Sequence, residues 1–237
     1  MRIIVTETEE RKAPAGFVGI DYWRQLDMVP MDKLRETHVD LIGAGGIGSP
    51  TAMSLAKMGV GSLRVFDDDK VESHNLPNQL HVLNSLGMTK VDALTALLAQ
   101  FVDDTTVLTP KAGRVDDMTA LKGIVVSGVD SMKSRKAIWE ATKMSPGVEH
   151  YIEARMGGYL LRVYYLNPQN RADRQKYEET LYDDSEALEL PCTAQSLIYT
   201  GMMAAVFISD NLRQVVAGEK PDYEIVFDIS TKTLLVS

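Results

Sequence analysis

Val39-Asp40-Leu41-Ile42-Gly43-Ala44-Gly45-Gly46-Ile47-Gly48 runs a short apolar strand straight into a glycine loop. Gly43, Gly45 and Gly48 occupy the three places of a G-x-G-x-x-G turn. The first allows the chain to reverse, the second lets backbone approach a phosphate or ribose, and the third permits close helix–strand packing. A helix is expected over 49–58, ended by Gly59 and Gly61, and the N–H groups at its start favour an anion. A second strand over 62–66 closes on Asp67. A carboxylate there, about 20 residues past the glycines, is placed to take ribose hydroxyls. Gly43, Gly45, Gly46, Gly48 and Asp67 are therefore candidate nucleotide contacts. The glycine pattern alone suits NAD as well as ATP, and a tight turn without a ligand is the bland reading.

Working outward, strands and helices alternate. Helices are expected over 90–101, 116–121 and 134–142, with strands over 106–108 and 124–127. This spacing points to a mostly parallel, Rossmann-like α/β sheet with right-handed crossovers and helices on both faces. The later chain differs. Strands over 150–155 and 159–166 join through Gly157-Gly158, and a charged stretch follows to Pro191. One long helix over 193–216 is capped by Gly218, and a hairpin over 224–236 closes the chain. The expectation is an antiparallel C-terminal extension. One domain is expected over 1–237, with a leader over 1–36, a nucleotide-binding core over 37–145 and a C-terminal half over 146–237. The leader is expected to carry a short strand over 3–6 and a helical piece around 21–26.

Composition narrows the function classes. The 237 residues are 45% hydrophobic and carry a formal net charge of −8, so nothing favours a nucleic-acid backbone as partner. Cys192 is the lone cysteine, which rules out an intrachain disulfide and a zinc site built from several thiolates. The apolar run at the N-terminus is too short for a signal peptide, and residues 197–208 are too few to span a bilayer. A cytoplasmic protein with no membrane partner is expected.

Further landmarks decide between nucleotides. Asp67-Asp68-Asp69-Lys70-Val71, Asn75-Leu76-Pro77-Asn78-Gln79, Gly87-Met88-Thr89-Lys90-Val91 and Gly128-Val129-Asp130-Ser131 with Arg135 follow in order. Upstream stands Tyr22-Trp23-Arg24-Gln25. Together they resemble the ThiF/MoeB/ubiquitin-activating family, whose members show D-x-D-x-V, S-N-L-x-R-Q and G-x-x-K-V/A at this spacing. The resemblance runs from Tyr22 to Arg135 and weakens toward the last helix.

The resemblance implies ATP-dependent adenylylation of a carboxylate. In it, Asp67 binds ribose and Asp69 lies near phosphates or metal. Lys90 neutralises charge on the α-phosphate, where fixed charge stabilises the transition state. Asp130 holds Mg²⁺, and Asn75 and Gln79 hydrogen-bond the nucleotide. Arg24 reaches the neighbouring subunit's phosphates, which requires a homodimer. The acyl substrate implied is the C-terminus of a ubiquitin-like or sulfur-carrier protein, or a peptide. At this length a minimal bacterial-type form is expected. Taken singly, Asp68, Asp69, Lys70 and Lys90 read equally well as a solvated turn and a helix start.

Two features depart from the pattern. Asn78 stands where the family has arginine, leaving Arg24, Arg155 or Lys90 to supply the missing cation. The paired C-x-x-C motifs of many relatives are absent. Cys192 precedes the long helix, whose positive end would favour thiolate, so it is a candidate acyl acceptor or an inert buried thiol. Arg155 reads as a substrate-carboxylate contact or, slightly preferred, as an arginine beside a hairpin. Two rivals stand: an NAD-dependent oxidoreductase, and an inactive family-like binding partner kept open by Asn78.

Overall fold

The computed structural model describes residues 19–182 and 197–237. The expected leader strand and Cys192 lie outside the described residues. Eight strands form one sheet: β1 (His38–Ile42), β2 (Ser62–Asp67), β3 (Val107–Ala112), β4 (Ile124–Ser127), β5 (His150–Gly157), β6 (Leu160–Leu166), β7 (Glu224–Asp228) and β8 (Thr233–Val236). Their order is β3-β2-β1-β4-β5-β6-β7-β8. From β3 to β5 the neighbours are parallel, and from β5 to β8 they are antiparallel. The expected Rossmann-like sheet with an antiparallel extension is what forms.

Strand alternation sorts the core into two layers. Val39, Leu41, Ile124, Val126 and Ile152 face one side. There they meet α1 (Met31–Glu36), α2 (Gly48–Met58), α3 (Lys90–Leu98) and α6 (Ile198–Ala217) through Leu34, Leu55, Leu94 and Ile208. Ile42, Val125, Tyr151 and Tyr164 face the other side. They pack on α4 (Met132–Lys143) and α5 (Arg171–Glu178) through Ile138, Trp139 and Tyr177. Each layer buries large side chains completely, so the sheet is a rigid platform and both its ends hold whatever emerges from them.

Three expectations need correction. No helix forms over 116–121, because the Asp116 carboxylate accepts from the Met118 N–H and the Thr119 hydroxyl and so gives the backbone a turn instead. The strand expected over 106–108 runs on to Ala112 through Pro110, which a sheet edge tolerates because the missing N–H costs no ladder bond. The leader forms a 3-10 turn at Trp23–Gln25 and then α1, a six-residue helix whose periodicity is too short to read. The long final helix ends at Gly218, left-handed with φ 81°, as expected from its glycine.

Candidate functional site

The glycine loop leaves β1 between two neighbours that hold it tightly. The Gly43 N–H donates to the Phe66 carbonyl at 2.8 Å, and the Gly128 N–H donates to the Ile42 carbonyl at 2.9 Å. Gly43 has φ 99°, and a Cβ on Gly48 would stand 1.8 Å from the Gly43 carbonyl oxygen. Both glycines are thus demanded by the turn. Beyond them, the N–H groups of Gly45 and Gly46 have no partner among the described residues. Two adjacent free N–H groups at a helix start form a place for an anion.

Asp67 closes the loop from the side. Its carboxylate accepts from the Ala44 N–H at 2.7 Å and from the Asp69 N–H at 2.9 Å. Burial raises its pKa above the usual carboxylate value, and the two N–H groups and Lys90 offset only part of that. Each oxygen keeps a lone pair for a hydroxyl donor.

The segment after Asp67 is zipped to the start of α3. Val71 N–H donates to the Met88 carbonyl, Gly87 N–H to Val71 and Lys90 N–H to Asp69, each at 2.9 Å. This pairing explains why the two motifs keep their spacing: it brings Lys90 Nζ to 2.7 Å from an Asp69 carboxylate oxygen. The Lys90 side chain is buried, whereas Asp69 is 61% exposed. Carboxylate oxygens of Asp67, Asp68 and Asp69 lie within 4.8 Å of one another, a hard-oxygen donor set of the kind Mg²⁺ accepts. Arg114 pairs with Asp68 at 2.7 Å and feels the charges of both Asp69 and Asp130. Asp130, exposed beyond β4, therefore borders the same rim.

The 75–81 stretch covers the loop. Asn75 is buried and closes a reciprocal cap with Glu72, its Oδ1 accepting from the Glu72 N–H at 2.9 Å. The Gln79 amide lies 3.8 Å from where a Cβ on Gly45 would stand. Gln79 Oε1 and Asn78 Oδ1 are both buried without a partner among the described residues. Unpaired polar atoms beside a free N–H pair mark a place completed by something else.

Other expected residues stand apart. Arg24 is exposed and stacks on Trp23, in a leader anchored by Gln25 to the Met58 carbonyl. Met58 ends α2 and the glycine loop begins it, so 11 residues or roughly 16 Å separate the two. Arg155 is held in place: it pairs with Glu153 at 2.9 Å, donates to the Thr180 carbonyl at 3.0 Å and lies over the Tyr164 ring. Burial opposes its charge, yet the hydrogen bond and charge of Glu153 raise its pKa, and Glu153 and Thr180 together take four of its five N–H groups. Arg135 also pairs with Glu153, at 2.7 Å, and donates to the Val129 carbonyl beside Asp130.

Sequence reasoning misses three residues. Gly201, in α6, approaches the loop so closely that a Cβ would be 2.0 Å from the Gly46 carbonyl oxygen. His81 is buried and bonds the Ala44 carbonyl. Arg114 reaches the rim from beyond β3. Only Gly201 leaves a trace in the sequence, as a glycine inside a helix where alanine would be favoured.

The glycine loop and the landmarks at 67–71, 75–79 and 87–91 lie together, and a chain-wide comparison adds to them. The ThiF family pattern matches residues 20–230. The chain belongs to the ThiF family. Among its relatives, the "Adenylyltransferase and sulfurtransferase uba4" of Aspergillus clavatus is 38% identical over 103 residues, covering 40% of this chain and 21% of that protein. "Ubiquitin-like modifier-activating enzyme 5" of Bombyx mori is 40% identical over 76 residues, covering 32% of this chain and 19% of that protein. The matched stretches thus span about a fifth of those relatives. E. coli MccB, in a crystal structure with ATP, superposes with a TM-score of 0.68 at 17% identity, covering 87% of this chain and 65% of that one. PaaA superposes with a TM-score of 0.67 at 17% identity, covering 87% of this chain and 74% of that one. At such identity these two likenesses speak for the fold. None of the described helices is long and apolar enough to cross a membrane.

Proposed function

We propose that this chain binds MgATP at the glycine loop and adenylylates a carboxylate. The observation that carries the reading is the grouping of the free Gly45 and Gly46 N–H groups with Asp67, buried Lys90 and the unpaired Gln79 amide oxygen. The first pair suits a phosphate, Asp67 suits ribose hydroxyls, and Asn75 and Gln79 frame the loop. A substrate carboxylate oxygen attacks the α-phosphorus, the bond to the bridging oxygen breaks, and pyrophosphate leaves. Acyl-adenylate is the product. Lys90 exchanges its pairing with Asp69 for the charge that builds on the α-phosphoryl oxygens, where a fixed cation in a partly dry site contributes most.

The Asp67, Asp68 and Asp69 carboxylates provide oxygen donors suited to Mg²⁺, and Asp130 is the further candidate ligand. When bound, that ion supplies charge neutralisation for the triphosphate. Arg24, at the far end of α2 from its own loop, suits a contact made in trans across a homodimer. Cys192 is the candidate acceptor of the acyl group: its thiolate attacks the acyl carbon, a thioester forms and AMP leaves. The relatives' names speak for a ubiquitin-like or sulfur-carrier protein as substrate, while MccB is described with the peptide MccA. Family membership and the Lys90–Asp69 pair favour a nucleoside triphosphate over NAD.

The test is exchange of labelled pyrophosphate into ATP in the presence of a carrier protein with a free C-terminal Gly-Gly, or of a peptide carboxylate. Exchange that depends on the carboxylate and is lost in Lys90→Met supports the reading. ATP binding without exchange for any carboxylate of either class favours an inactive binding partner.

A further inference from the structure

Ala44 is held through both of its backbone polar groups, which belong to successive peptide planes. Its N–H donates to Asp67 at 2.7 Å, and its carbonyl meets His81 Nε2 at 3.0 Å. A carbonyl oxygen only accepts, so the shared hydrogen belongs to Nε2. The ring is 7% exposed, and Nδ1 is buried without a partner among the described residues. Burial lowers the His81 pKa against the opposing Ala44 hydrogen bond, with Lys90 lowering it and Asp67 raising it. The ring thus aims its Nε2–H at the loop, and no group among the described residues pairs with Nδ1 behind it.

The consequence follows from peptide geometry. A trans peptide is planar, and its C=O and N–H point in opposite directions. Fixing the Ala44 carbonyl toward His81 turns the Gly45 N–H away from it. The next peptide is fixed likewise: the Gly45 carbonyl accepts from the Ser49 N–H at 2.9 Å and the Ser49 hydroxyl at 2.7 Å, which turns the Gly46 N–H away from α2. These are the two N–H groups that have no partner among the described residues. Glycine has no rotational preference of its own to hold them there.

We infer that His81 is a positioning residue of the nucleotide site, whose Nε2–H holds the Ala44 carbonyl and so aims the Gly45 N–H at the bound phosphates. This rests on the proposed binding of ATP. It assigns His81 no contact with the reacting atoms.

Two near-isosteric substitutions separate positioning from mere filling of the space. In His81→Gln the amide nitrogen reaches the place of Nε2, and in His81→Asn it stops at the place of Nδ1, short of Ala44. The full chain and both variants are titrated calorimetrically with MgATP and with adenosine, which has no phosphates, and each is melted. We expect His81→Asn to weaken MgATP about tenfold, as for one hydrogen bond with its orphaned carbonyl, and adenosine less than twofold. His81→Gln retains MgATP affinity within about threefold. Equal MgATP affinity in the two variants, or a loss shared equally by adenosine, overturns the inference. No MgATP binding by the unsubstituted chain overturns the ATP reading and the role of His81 with it.

Discussion

Asp40 and Asp67 are both aspartates on the central strands of one sheet, yet they are treated in opposite ways. Asp40 is fully buried near the start of β1 and is saturated. It accepts from His38 at 2.8 Å, from Arg64 Nε at 2.7 Å and from the Lys122 N–H at 2.9 Å. Burial would raise its pKa, but the His38, Arg64 and Lys122 bonds outweigh burial and lower it. Asp67, at the far end of β2, receives two backbone N–H groups and no cation in contact, and burial wins. The fold completes the charge it uses as a clasp. At the glycine loop, Gln79, Asn78 and His81 each keep a buried atom that no other described residue pairs. The difference sets an architectural aspartate apart from the candidate ribose contact of the proposed site on physical grounds.

Breaking the clasp has the largest expected effect. Asp40→Asn leaves Arg64 without its charge partner and should cost about 3–5 kcal/mol of stability. That is on the order of 10 °C in melting temperature for a chain of this size. MgATP affinity of the folded fraction should be unchanged. A large loss of affinity in a variant that melts normally would contradict the division.

Lys90→Met comes next. Pyrophosphate exchange should fall about 10²–10³-fold, as for other transition-state donors, while ATP affinity changes far less. Equal losses in affinity and rate would mean that Lys90 binds the ground state.

Asp67→Asn sharpens the contrast from the other side. Replacing a carboxylate that accepts ribose hydroxyls should weaken MgATP by about 1.5–3 kcal/mol in titration. It should change the melting temperature by only a few degrees, because a charge disfavoured by burial is removed as one N–H loses its acceptor.

The pH dependence of stability carries the smallest effect, and its sign differs between the two aspartates. The Asp40 contribution is complete above its ordinary value of 3.8 and is lost as pH falls through its lowered native value. Asp67 acts oppositely: its raised native value costs stability as pH rises from 3.8 through that value. Melting curves on Asp40→Asn and Asp67→Asn between pH 3 and 6 should therefore depart from the parent in opposite directions.

Much of the site was legible because it is local. The glycines precede α2 directly, and Asp67 ends the next strand. The pairing of 69–71 with 87–90 is built from motifs that keep their spacing for that reason. What was illegible is remote or chemically ambiguous. Gly201 lies in another half of the chain from Gly46, and only the packing of α6 on α2 joins them. Asp40 and Arg64 meet because β1 and β2 are paired in register, and nothing in a lone strand aspartate announces a clasp. His81 falls between two landmarks without belonging to either. Arg155 reads slightly better as an arginine beside a hairpin than as a substrate contact, and its partner Glu153, buried in mid-strand, is invisible to that reading.

The most direct measurement is calorimetric titration of the purified chain with MgATP and, separately, with NAD, repeated on Asp130→Ala. An adenylylating site of this kind should bind MgATP alone, and the substitution should weaken that binding. Binding of NAD alone, indifferent to Asp130, would contradict it.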